Sequence, residues 1–206
     1  MDMNKFLKIF FVFVSSFYLA MSEEVKDIEK YIEKVVINIK KNVSDEEVLS
    51  KINHNVFLWN TYFIENQDFD IKSLLSAIEL AVNQQIHNYV DSYENINHFL
   101  DITQLLWNEG EIRNINVLLP SLFQNNINQS DLKLIEVQFG PRVRLTIDEL
   151  TKINNGDLDL MDASLDAQTI YLAHTLRQIR TSSCSLEGFK CLYKGINLPL
   201  ERHLFE

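Results

Sequence analysis

Apolar residues recur at three- and four-residue steps along most of this chain. From Val25 to Lys41 they are Val25, Ile28, Ile32, Val35, Val36 and Ile39, with lysine and glutamate between them. That period buries one face of an amphipathic helix and leaves the other in water. Ser44-Asp45-Glu46-Glu47 reads as a capping box, in which a serine oxygen and the third-position glutamate satisfy free amides at a helix start. It predicts a second helix to about Ile64, with Leu49, Ile52, Val56, Trp59 and Phe63 inward. Asp68 or Asp70 caps a third, which buries Ile71, Leu74, Leu75, Ile78, Val82, Ile86 and Tyr89. A fourth runs from about Glu94 to Trp107 and stops at Gly110.

The second half is more ambiguous. A fifth helix over Glu111 to Phe123 contains Pro120, which lacks an amide and crowds the preceding turn, so a kink or an early stop is expected. Asn125-Asn126-Ile127-Asn128 reads as a loop. Between Lys133 and Ile147 two readings compete. A hairpin closed by Gly140-Pro141-Arg142 opposes Phe139 to Val143, Val137 to Leu145 and Ile135 to Ile147, all apolar. The rival is a short helix from Asp131 ending at Gly140-Pro141. Thr146-Ile147-Asp148-Glu149 repeats the capping-box pattern and opens a short helix ending near Asn155-Gly156. Asp162 caps the last long helix, whose inner positions are Leu165, Thr169, Leu172, Ala173, Leu176 and Ile179. Beyond Cys184 the chain reads as a short turn or helix and then an irregular tail, with Pro199 barring a long terminal helix.

Composition agrees with this pattern. Among 206 residues only 5 are Gly and 3 are Pro, too few for the many tight turns of a sandwich or propeller. The fold class is therefore all-α, an irregular bundle of six or more helices, with one small β-hairpin near 133–147 as the variant. A hydrophobic fraction of 46% is enough to build a core. No internal repeat or Pro/Ser-rich linker divides residues 23–206, which read as a single helical domain.

Residues 1–22 read as a secretory signal peptide. Lys5 and Lys8 precede the apolar run Ile9 to Ala20, broken only by Ser15 and Ser16. The run is shorter than the roughly 20 residues that span a bilayer, so no stable membrane span is expected. Ala20 and Ser22 suit the cleavage site, which makes Glu23 the first mature residue. A secreted location also permits a Cys184–Cys191 disulfide. On one continuous helix their Cα atoms would stand about 10 Å apart, beyond bonding reach, so the bond requires an irregular segment there. Asn42-Val43-Ser44 and Asn128-Gln129-Ser130 are sequons, which makes Asn42 and Asn128 candidate glycosylation sites.

The formal net charge of −10 speaks against a nucleic-acid partner, because phosphate neutralisation needs clustered basic residues. His87, Asp91, Glu94, His98 and Asp101 would line one side of an unbroken helix as metal ligands. Nothing identifies a second ligand-bearing element, however, and a solvated helix face explains them. Asn154 to Asp162 is rich in oxygen ligands, but its glycine is misplaced for an EF-hand, and a helix stop, turn and cap account for it. No nucleophile elbow, phosphate loop or H-E-x-x-H motif is present, so no catalytic, cofactor or metal residues are assigned and the chain is not read as an enzyme. Trp59, Tyr62, Phe63, Tyr89, Tyr93, Phe99, Trp107 and Phe123 fall mainly at core positions of the helix period.

Two functions follow. The first is a secreted, effector-like interaction protein of the salivary or venom type, binding an unknown protein partner outside the cell. The alternative is a carrier of a small apolar ligand. A filled core with an exposed apolar patch favours the first, and an internal apolar cavity of several hundred Å³ favours the second.

Overall fold

The computed structural model describes residues 23–88, 92–123 and 129–181. The signal-peptide segment, Cys184, Cys191 and Asn128 lie outside those residues. Eight α-helices form among the described residues: α1 (Glu23–Asn42), α2 (Glu46–Glu65), α3 (Ile71–Asn88), α4 (Ser92–Asn108), α5 (Ile115–Ser121), α6 (Gln129–Phe139), α7 (Pro141–Asn155) and α8 (Leu165–Thr181). A single 3-10 turn at Leu160–Asp162 precedes α8. No strand is present among the described residues, so the bundle is all-α.

Helices α1 to α3 bury most of the apolar positions that their periodicity selects; Ile32, Val36, Leu49 and Ile86 are half-buried, and Tyr89 lies outside the described residues. Val25, Ile28, Val35 and Ile39 close α1 against α3, and Asn38 Nδ2 donates to Glu79 Oε1 at 2.9 Å across that seam. The cap of α2 differs from the expected one by a residue. Asp45 takes the cap position and its Oδ1 accepts from Val48 N at 2.9 Å, whereas the amide and hydroxyl of Ser44 both meet the Tyr93 hydroxyl on α4. A carboxylate is favoured there because the unpaired amides at a helix start carry partial positive charge. At α3 it is Asp70 that caps, accepting from Ser73 N at 3.1 Å. Helix α4 begins two residues before Glu94, at Ser92, and ends ahead of Gly110. A Cβ on Gly110 would stand 2.9 Å from Leu106 O, a distance that only glycine tolerates.

The short helix α5 is the hub. Val117, Leu118, Leu119, Pro120 and Ser121 are all buried, and α5 packs on α3, α4, α7 and α8. A helix that is apolar all round belongs in the middle of a bundle. Asn114 caps its start, and Pro120 brings the expected early stop at Ser121. Ser121, fully buried, keeps its hydroxyl satisfied by Leu118 O at 2.8 Å and Thr103 Oγ1 of α4 at 2.9 Å.

The hairpin reading of 133–147 fails. Gly140 adopts φ +92° and Pro141 opens α7, so the turn residues break one helix from the next instead of joining two strands. Leu132, Ile135, Val143, Ile147 and Leu150 then face the core at helical spacing, while Val137 and Leu145, the central apolar pair of the hairpin register, are 87% and 59% exposed. The second capping box fails with it. Thr146 sits inside α7 with its hydroxyl on Arg142 O at 3.1 Å.

The last helix also departs from its expected form. Ser164, not Asp162, caps α8, its Oγ accepting from Ala167 N at 3.3 Å. The helix is turned so that Ala167 and Ile170 are fully buried, while Leu165 is 78% exposed and Leu172 and Leu176 are about two-fifths exposed. Small Ala167 lets α8 approach its neighbours closely. The same rotation brings Asp166 to Arg142 of α7 at 2.7 Å and Arg177 to Asp101 of α4 at 3.1 Å. Burying the leucine stripe instead would leave both charged groups without those partners.

The buried side chains of all eight helices join in one core. The aromatic residues contribute to it as packing: Trp59, Phe63, Phe99, Trp107 and Phe123 are buried, and Tyr62, Phe69 and Trp107 meet edge-on with centroids 5.1 to 5.7 Å apart. None of the described helices is long and apolar enough to cross a membrane.

Candidate functional site

Two surface features gather chemistry, and both involve α8. The first is the seam between α4 and α8. His98 and Asp101 stand one turn apart on α4, and His174 and Arg177 one turn apart on α8. The imidazoles meet edge to face with centroids 4.7 Å apart, and Arg177 Nε donates to Asp101 Oδ2 at 3.1 Å. Lys51 of α2 reaches the other oxygen of Asp101 at 2.8 Å. Farther along, Arg180 clasps Glu109 with both guanidinium nitrogens, and this hydrogen bonding holds the Glu109 carboxyl below its ordinary range. Because the pairs 98/174, 101/177 and 109/180 advance together, α4 and α8 run in the same direction here.

Electrostatics keep both imidazoles neutral near pH 7. Burial, then the neighbouring His174 and Arg177, push His98 down to about 4, with Asp101 opposing. Burial and then Arg177 lower His174 as well. Gln178 Nε2 stands 3.0 Å from His174 Nε2, and since an amide nitrogen only donates, the ring nitrogen accepts and is unprotonated. A depression of about 260 Å³ opens beside this seam, lined by Asp101, Gln104, Asn108, Glu109, Arg177 and Arg180 among others.

The second feature lies between α7 and α8. Leu145 and Leu165 wall a depression of about 290 Å³, rimmed by Arg142, Thr146, Glu149, Ser164 and Asp166. Its polar rim is internally satisfied: Arg142 bonds Asp166, and Ser164 bonds Glu149. Leu172 and Leu176 continue the apolar stripe along α8 from Leu165.

Comparison with protein-family models, with curated proteins and with solved structures finds no match to this chain.

The line of polar residues that sequence reading weighed as metal ligands and set aside does not assemble. His87 lies in the last turn of α3 and Glu94 in the first turn of α4, two separate helices, and Asp91 lies outside the described residues. Only His98 and Asp101 enter a cluster, and their partners come from α8. Among the described residues no group of three or more acidic, histidine or cysteine side chains is arranged to hold a metal ion. The acidic stretch after α7 is engaged in local structure. Gly156 takes φ +79° at the helix end, Asp157 N donates to Lys152 O, and Asp159 caps the 3-10 turn through Met161 N. Asn42 is exposed at the end of α1, with its Nδ2 donating to Asn83 Oδ1 at 3.0 Å.

His174 and Arg177 escaped the sequence reading. Their spacing repeats that of His98 and Asp101, which is the only signal in the chain. Which two helices would face each other is not written in local periodicity.

Proposed function

We propose that this protein is a secreted, non-enzymatic interaction protein that binds a macromolecular partner outside the cell through the α7–α8 face. The observation that carries this reading is the placement of Leu145 and Leu165. Both are large, mostly exposed and line the same depression, so a partner's apolar or aromatic side chain seated there would bury them together. The rim of paired polar groups around them is the usual setting of such an anchor. Leu172 and Leu176 extend the contact along α8. Trp59, Phe63, Phe99, Trp107 and Phe123, which a carrier could use to line a cavity, are spent in core packing, and this favours the interaction reading over the carrier.

The test is site-directed crosslinking in fluid from the protein's natural source. A photoreactive residue replacing Leu165 is expected to join one macromolecular component, and one replacing Glu33, exposed on α1, is not. Indistinguishable products from the two positions would overturn the assignment of the face.

A further inference from the structure

Charge along the α4–α8 seam is unevenly shared. Asp101 is the carboxylate beside the imidazole pair, and its two oxygens already serve Lys51 at 2.8 Å and Arg177 at 3.1 Å. Its side chain and that of Arg177 are mostly buried, so water does little to screen them. The groups that act on the His98 ring are His174 and Arg177 from α8 and Asp101 from its own helix, with Lys51 of α2 acting through Asp101. Helices α3 and α5, also packed on α4, add no charged group to that set. Arg177 acts on the His174 ring, and Tyr171 lies against it with a centroid separation of 6.3 Å.

We propose that the His98–His174 pair is an acid-operated latch: a proton taken up by either imidazole sets a cation against Arg177 and the second ring, beside an Asp101 carboxylate already engaged by Lys51 and Arg177, and the C-terminal half of α8 lifts from α4. Protonation of His174 at Nε2 also removes the acceptor used by Gln178. The N-terminal half of α8 stays tied through Ala167 and Ile170 in the core and Asp166 on Arg142. Opening is therefore local.

The direction follows from proton linkage. In the closed seam His98 is held to about 4, and once lifted into water it returns to its ordinary 6.5. The open state binds the proton more tightly, so acid favours it. At about pH 4.5 protonation of His98 alone raises the opening equilibrium by about 80-fold, and the partial exposure of the rings leaves about tenfold or more.

Amide hydrogen exchange on the full chain tests the latch. Between about pH 7 and about pH 4.5, with the intrinsic exchange rate corrected, amides of 172–181 are expected to lose about tenfold or more of their protection while α1 to α3 keep theirs. In the His98→Gln/His174→Gln variant the selective loss should vanish. Retention of protection at acid pH in the native chain, or an unchanged loss in the variant, overturns the proposal. If the double variant does not fold, the ring-proton resonances of the native chain decide. Both rings titrating below 6.5 sustain the latch, and either one titrating at or above that value refutes it.

Discussion

The rotation of α8 is the feature on which both functional readings depend, and paired truncations on its two faces test it. Ile170 is fully buried, so Ile170→Ala removes packed methylene groups and leaves a void, at a cost of about 2 to 5 kcal/mol. Leu165 is 78% exposed. A fully buried leucine gains about 1.5 to 3 kcal/mol from its burial, so the buried fifth of this one is worth about 0.5 kcal/mol. Alanine is a good helix former at both sites, and the contrast therefore reports burial, not propensity. Urea unfolding followed by circular dichroism provides the assay. With a slope of about 1 to 3 kcal/mol per M for a small protein, Ile170→Ala should lower the midpoint by about 1 M or more and Leu165→Ala by a few tenths. The reverse order, with Leu165→Ala the costlier change, would mean that the leucine stripe is the buried face and would refute the rotation.

Other substitutions test other joints. Asp45→Ala should cost about 1 kcal/mol in the same unfolding assay by uncapping α2, and Ser44→Ala should cost less, the opposite of what a capping box at Ser44 requires. Arg113 lies 3.9 Å over the Trp107 ring and donates to Trp107 O at 2.7 Å, so Arg113→Ala should lower stability by about 1 to 2 kcal/mol. With His98 lowered to about 4 against 6.5 when unfolded, the folded state binds fewer protons between those values. Its stability contribution is thus intact above about pH 6.5, falls as pH drops toward 4 and levels off below. A pH series of unfolding midpoints should show that decline, weaker in His98→Gln.

The legible part of the fold is the part whose information is local. Val25, Ile28, Val35 and Ile39 declare the buried face of α1 by spacing alone, and the same holds for Ile71, Leu74, Leu75 and Ile78 of α3. Where two local patterns fitted, tertiary context decided. Ile135 and Ile147 suit a strand pair and a helix pair equally, and the φ of Gly140 settles between them only in the folded chain. The inner face of α8 is not legible from periodicity because its buried positions include Ala167, Asp166 and Thr175, which look like surface in a sequence. Their burial depends on Arg142 and on close helix contact, both long-range facts. The α4–α8 cluster was half visible for the same reason. His98 and Asp101 could be singled out, but His174 and Arg177 reach them from over seventy positions away.

Native mass spectrometry of the protein from its natural source, before and after denaturation, decides whether it binds another macromolecule through the face holding Leu145 and Leu165. No stoichiometric small molecule is expected, but a complex with a macromolecular partner that the Leu145→Glu/Leu165→Glu variant fails to form while keeping its fold. A small-molecule mass retained natively and released on denaturation, with no partner bound, would contradict this reading and identify a carrier.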